Sequence, residues 1–116
     1  MVMALFSTLF GAKAQETDRI KVLSASDFKE AIDKKDIQLV DVRTPQEYNE
    51  GHIANSLNIP VQQIDARIST IKKKGKPVIV CCKSGGRAGT ARAVLQRNGI
   101  KCMNGGSWGG LNYMIH

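Results

Sequence analysis

The residues best suited to chemistry stand in one short stretch, Cys81-Cys82-Lys83-Ser84-Gly85-Gly86-Arg87-Ala88. The apolar run before it, Pro77 to Cys82, predicts a buried strand, and a helix is expected from about Arg87 to Asn98, stopped by Gly99. Cys82 therefore falls at the carboxyl end of a strand, where α/β sheets bind their ligands. Successive backbone N–H groups and the positive end of a helix form an anion nest there, which Gly85 and Gly86 let the backbone approach closely. A cysteine of ordinary pKa, about 8.5, is only a few per cent thiolate at neutral pH. Lowering that pKa by two units is worth about 2.7 kcal/mol and makes the thiolate dominant. Loop amides, the helix dipole and Arg87 together could supply this. Cys82 is thus the candidate nucleophile, with Lys83 and Arg87 bringing positive charge to an incoming anion.

The other cysteines read differently. Cys81, one residue back along the strand, and Cys102, in a later strand, read as core packing. Three cysteines, two of them adjacent, are not a disulfide framework and suit a reducing compartment or a working thiol. No metal site is expected: adjacent cysteines cannot easily turn both sulfurs to one ion, and neither His52 nor His116 has ligand spacing. A redox pair of Cys82 and Cys102 would require Cα atoms within roughly 7 Å.

Elements that could position Cys82 alternate along the chain. Strands are expected at Ile20 to Leu23, Ile37 to Val42, Ser56 to Ile59, Pro77 to Cys82 and Ile100 to Met103. Between them lie helical patterns. Ser24 and Asp27 make a capping-box pattern ahead of the stripe Phe28, Ala31, Ile32. Thr44-Pro45-Gln46-Glu47 is a second box, with proline at the favoured first helical position. Ile64, Ile68 and Ile71 give Val61 to Lys73 one apolar helical face. A short apolar helix around Leu111 to Ile115 closes the chain. This alternation predicts an α/β domain with a mainly parallel sheet.

Composition fits one such domain: 116 residues, 42% hydrophobic and 23% charged. Charge is uneven. Up to Pro60 seven Lys/Arg face nine Asp/Glu, whereas from Val61 ten face only Asp65. With 5% aromatics and no nucleic-acid motif, the basic half suits small anions and solubility, not nucleic acid. The densest run, Lys72 to Lys76, reads as a solvated loop. Residues 1–18 form a separate apolar N-terminal segment ahead of a domain at 19–116. Residues 1–14 read as a short helix packed on the domain, as a signal peptide ending at Ala12-Lys13-Ala14, or as a peripheral membrane anchor. A cytoplasmic location is favoured; the last two readings would make it periplasmic or membrane-peripheral. Oligomeric state is not legible.

From Ile20 to Leu111 the sequence resembles the rhodanese homology domain. Asp41-Val42-Arg43, Glu47-Tyr48 and Gly51-His52-Ile53 are similar to its first signature, and Ala54 to Pro60 continues it. Val80 to Ala88 resembles the active-site loop, and Asn104-Gly105-Gly106-Ser107-Trp108 the C-terminal signature, although Gly109-Gly110-Leu111 departs from it. The resemblance implies a rhodanese-like fold: a central five-stranded, mainly parallel sheet with helices on both faces. It also implies a sulfurtransferase that takes sulfane sulfur from a thiosulfate-type donor as a persulfide on Cys82, with no cofactor. The acceptor would be cyanide in assays and a thiol or protein in the cell. Lys83, Ser84, Gly85, Gly86, Arg87 and Ala88 would form the persulfide-binding loop. Arg87 would also close it and attract the anion. Asp41 and Arg43 would support the fold as a buried ion pair, and His52 would be a structural hydrogen-bonder. Two alternatives stand: a non-catalytic binding module, and a cysteine phosphatase or arsenate reductase. Against the second, only four residues separate Cys82 from Arg87, one fewer than in the phosphatases of this fold.

Overall fold

The computed structural model describes residues 24–116. Helix α1 (Ala25–Asp33) leads to strand β1 (Gln38–Asp41), α2 (Pro45–Glu50) and a two-residue strand β2 (Leu57–Asn58). Two single 3-10 turns, Val61–Gln63 and Asp65–Arg67, precede α3 (Ile68–Lys74). Then come β3 (Val78–Cys82), α4 (Gly86–Arg97), β4 (Cys102–Ser107) and α5 (Trp108–Met114). The four strands pair in the order β2-β1-β3-β4, every pair parallel. Among the described residues four strands stand where five were expected; the remaining expected strand, Ile20 to Leu23, falls outside them, as do the readings of residues 1–18.

Period-two alternation in β3 decides how the core divides. All five of its residues are buried. Val78, Val80 and Cys82 point to one face, against Ile71 of α3 and Ala88, Ala91 and Leu95 of α4. Ile79 and Cys81 point to the other, against Phe28 and Ile32 of α1 and Leu111 of α5. Both faces are covered, as the continuous apolar strands of parallel sheets require. The adjacent cysteines consequently belong to different cores. Cys102 pairs with Val78, four residues before Cys82 on β3. At about 3.3 Å per residue it lies too far from Cys82 for a disulfide.

The caps behave as their residue types dictate. Ser24 accepts the Asp27 N–H, and Thr44 with Glu47 completes a reciprocal capping box around Pro45. Val61 to Lys73 is not one helix. The Val61 N–H is drawn to the Val42 carbonyl at 3.0 Å, and Arg67, at φ −107° and ψ 6°, leaves helical geometry before α3 begins. The isoleucine stripe still holds: Ile64 and Ile71 are buried and Ile68 packs against them.

The last strand starts and ends later than Ile100 to Met103, running through Asn104-Gly105-Gly106 to Ser107. Glycine is unfavourable in a strand unless something approaches closely. Here a Cβ on Gly105 would stand 2.8 Å from Ile79 Cγ2 and 2.9 Å from Leu111 Cδ1. A register shift between Val80 and Cys82 then sets Cys82 opposite Ser107. Ser107 caps α5 through the Gly110 N–H at 3.0 Å, so that helix starts at Trp108, before Leu111. Overpacking costs typically ~1–3 kcal/mol, so Gly105→Ala is expected to destabilise the fold by that order. Urea unfolding monitored by circular dichroism would read this as a lower midpoint at unchanged slope.

Candidate active site

Helix α4 begins without a side chain to cap it. Its N-cap is Gly85, at φ 107° and ψ −15°, a left-handed conformation that favours glycine. The first turn of any helix leaves N–H groups without intrahelical partners. Here the strand-end sulfur takes them: Cys82 Sγ accepts the Gly85 N–H at 2.9 Å and the Ala88 N–H at 3.4 Å. Cys82 thus does for α4 what a serine or aspartate oxygen does for other helices.

Burial opposes ionisation of Cys82, which is 1% exposed, and is the largest single influence on it. The N–H groups of Ala88, Gly85, Ser84 and Arg87 together outweigh it, and the thiol is held below its ordinary value. Cys81 and Cys102 have no such nest. Burial pushes each up to about 12, helped at Cys81 by the nearby Asp41 carboxylate. Of the three cysteines, Cys82 alone is shifted toward the thiolate.

Of the loop expected at Lys83 to Ala88, Gly86, Arg87 and Ala88 are already the first turn of α4. Lys83, Ser84 and Gly86 are exposed, and Ala88 is buried beneath the sulfur. Arg87 closes the loop, but toward another residue. Its guanidinium grips Glu47 of α2 in a bidentate pair, at 2.7 and 3.0 Å. What Arg87 gives the sulfur directly is its backbone N–H, so Lys83 is the cation of this loop without an acidic partner among the described residues.

Asp41 and Arg43 form a buried ion pair. Arg43 donates from Nε at 2.9 Å and Nη2 at 2.7 Å to the Asp41 carboxylate, and from Nη2 to the Gly51 carbonyl at 2.7 Å. Its Cζ lies 4.5 Å from the centre of the Trp108 ring. His52 hydrogen-bonds the Tyr48 carbonyl at 2.7 Å and stacks on the Tyr48 ring, centroids 3.7 Å apart. Two residues escaped the sequence reading. Glu47 was legible as half of a capping box but not as the partner of Arg87, forty positions away. Asn104 donates to the Gly85 carbonyl at 2.9 Å while accepting the Gly106 N–H at 2.8 Å. Among the described residues no group of His, Cys, Asp or Glu could hold a metal ion, and no helix is long and apolar enough to cross a membrane.

A strand-end cysteine in an amide nest, at a helix start on a parallel sheet covered on both faces, defines a class of α/β thiol site. The chain belongs to the rhodanese-like family, whose domain model matches residues 24–109. Among curated relatives, the protein YqhL of Bacillus subtilis is 38% identical over 96 residues, covering 78% of this chain and 74% of that one. The thiosulfate sulfurtransferase PspE of Escherichia coli is 34% identical over 52% of this chain and 59% of its own length. A tRNA uridine(34) hydroxylase of Wigglesworthia glossinidia brevipalpis is 38% identical, but the match spans only 27% of that protein. A rhodanese-related protein from Thermoplasma volcanium superimposes with a TM-score of 0.59 at 32% identity, covering 71% of this chain and 79% of that one.

The Glu47–Arg87 pair is partly exposed, and such pairs contribute of order 1 kcal/mol or less. Glu47 also accepts the Thr44 N–H at 2.9 Å. Arg87 first, and Thr44 second, hold the Glu47 carboxyl at about 2, against an ordinary 4.5. A carboxyl lowered on folding stabilises fully above its unfolded value and loses that contribution as pH falls through its folded value. The wild type is therefore expected to be more stable than Glu47→Gln above pH 4.5, with the difference fading toward pH 2. Urea midpoints of the two proteins across that range would check it.

Proposed function

We propose that this chain is a thiosulfate-type sulfurtransferase that carries sulfur as a persulfide on Cys82. The observation that carries the reading is the sulfur held by the Gly85 and Ala88 N–H groups at the start of α4. The Cys82 thiolate attacks the sulfane sulfur of thiosulfate; an S–S bond forms to Cys82 as the donor's own S–S bond breaks, and sulfite leaves with that electron pair. The outer sulfur then passes to an acceptor. Cyanide leaves as thiocyanate, a thiolate as its persulfide, and the Cys82 thiolate is regenerated. Each half balances in charge, and neither needs a cofactor or a general base when Cys82 attacks as the thiolate that the loop amides favour.

In this reading the amides of the loop Lys83 to Ala88 stabilise negative charge on Cys82 or on the outer persulfide sulfur. Lys83 draws in the dianionic donor, while Arg87 serves chiefly to lock the loop to α2. Asp41 and Arg43 act through the fold. The partners are a small anionic sulfur donor and a thiol or protein acceptor. The named sulfurtransferase among the relatives supports the reaction class; the tRNA hydroxylase relative shows that the same kind of domain also serves larger proteins. The short gap between Cys82 and Arg87 favours a single sulfur over a tetrahedral phosphate.

Purified protein is expected to form thiocyanate from thiosulfate and cyanide, and Cys82→Ser to abolish it. Thiosulfate alone should add about 32 Da, one sulfur atom, to the Cys82 peptide. Hydrolysis of p-nitrophenyl phosphate that disappears in Cys82→Ser, with no sulfur adduct, would overturn the reading in favour of a phosphatase. Neither adduct nor hydrolysis would leave a binding module.

A further inference from the structure

The loop at Cys82 is held not only by its own helix but by the C-terminal strand. We propose that Asn104 is a positioning residue, which fixes Gly85 so that its N–H stays on Cys82 Sγ and charge on that sulfur is stabilised. This rests on the thiolate role given to Cys82 above.

The geometry is a clasp with two ends. Asn104 Nδ2 donates to the Gly85 carbonyl at 2.9 Å, and Oδ1 accepts the Gly106 N–H at 2.8 Å. The Gly85 carbonyl takes a second donor, the Gly89 N–H, at 2.9 Å. With both donors in place the Gly85–Gly86 peptide plane is held, and the adjoining plane that carries the Gly85 N–H is left only the two backbone torsions of Gly85 in which to move away from the sulfur. Gly85 needs this restraint, because at φ 107° it lacks the steric walls that hold other residues in place. Its N–H is the shorter of the two contacts to sulfur. The register shift between Val80 and Cys82 and the close approach at Gly105 bring Asn104 to the loop. Gly89 of α4 lies beside it, and a Cβ there would stand in ordinary contact, 3.5 Å from Asn104 Nδ2.

Asn104 carries no charge, so its removal leaves the local field nearly as it was. The charged groups around Cys82 are Lys83 in the loop and Arg87 on α4, with Glu47 of α2 across it. Asp41 at the end of β1 and Arg43 just after it are paired with each other, while β4 brings no charged residue.

The test is titration of Cys82 by thiolate absorbance at 240 nm, against a Cys82→Ser background, in wild type, Asn104→Ala and the near-isosteric Asn104→Leu. Loss of the clasp is expected to raise the Cys82 pKa by about one unit, roughly tenfold less thiolate at pH values below it. Ile32→Ala, in α1 on the other face of the sheet, is the control for simple destabilisation. It should lower the unfolding temperature and leave the titration in place. Thiosulfate:cyanide activity of the Asn104 variants should fall most at low pH and recover as pH rises. A titration within about 0.3 units of wild type in either folded variant would overturn the proposal. If wild-type protein titrates as expected but moves no sulfur, the sulfurtransferase reading fails, while the effect on Cys82 still decides the role of Asn104.

Discussion

The buried pair of Asp41 and Arg43 is the constraint on which the rest of the site depends. Taking two charges out of water costs several kcal/mol per ion, and attraction offsets this only when geometry is good and the remaining donors are satisfied. Arg43 meets both conditions: it faces the Asp41 carboxylate with two nitrogens, donates to the Gly51 carbonyl and lies against the Trp108 ring. These contacts fix β1, the end of α2 and the start of α5 about one side chain. Gly51 belongs to the same arrangement, since a Cβ there would stand 3.1 Å from Trp108 Cη2. Once α2 is placed, Glu47 is placed, and with it Arg87 and the first turn of α4. The charge network runs from a buried pair to a half-exposed one and ends at the loop over the sulfur.

Cysteine chemistry here is decided by strand position rather than by residue type. Cys81 and Cys82 are neighbours, both essentially without exposure, yet they are pushed in opposite directions. Cys81 points to the face shared with α1 and α5, where burial acts without a donor to oppose it. Cys82 points to the face of α4, whose N-terminus supplies the donors. A shift of register by one residue would exchange them, because side chains alternate faces along a strand. Cys102, on the same face as Cys82 but at the other end of the sheet, meets no helix N-terminus and stays a thiol.

Local signals were legible in the sequence and distant pairings were not. Thr44 and Glu47 announce a helix start because the capping box closes within four residues; Ile64 and Ile71 announce a buried face because their spacing is helical. Cys82 at a strand end before two glycines was legible for the same reason. Glu47 with Arg87 and Asn104 with Gly85 join elements that only the folded sheet brings together. Asn104 was masked further by its setting, since Asn-Gly-Gly ordinarily marks a turn. What places it in β4 is the tight contact of Gly105 with Ile79 and Leu111, a packing fact without a sequence period. The broken helix before α3 has a similar origin, in one hydrogen bond from Val61 back to Val42.

Cys82 has a structural duty beside its chemical one, and the two are separable. Because Gly85 offers no side chain, the sulfur is the group that satisfies the first turn of α4. An apolar replacement would leave those N–H groups buried without a partner, at a cost of about 1–3 kcal/mol. A serine hydroxyl keeps an acceptor in the same place but does not become an anion at neutral pH. The oxygen variant therefore preserves the cap and removes the nucleophile, whereas alanine removes both. A helix that lacks a cap of its own, facing a strand that ends in cysteine, makes the nest and the fold one arrangement. The donors that hold α4 in place are the same donors that favour charge on sulfur.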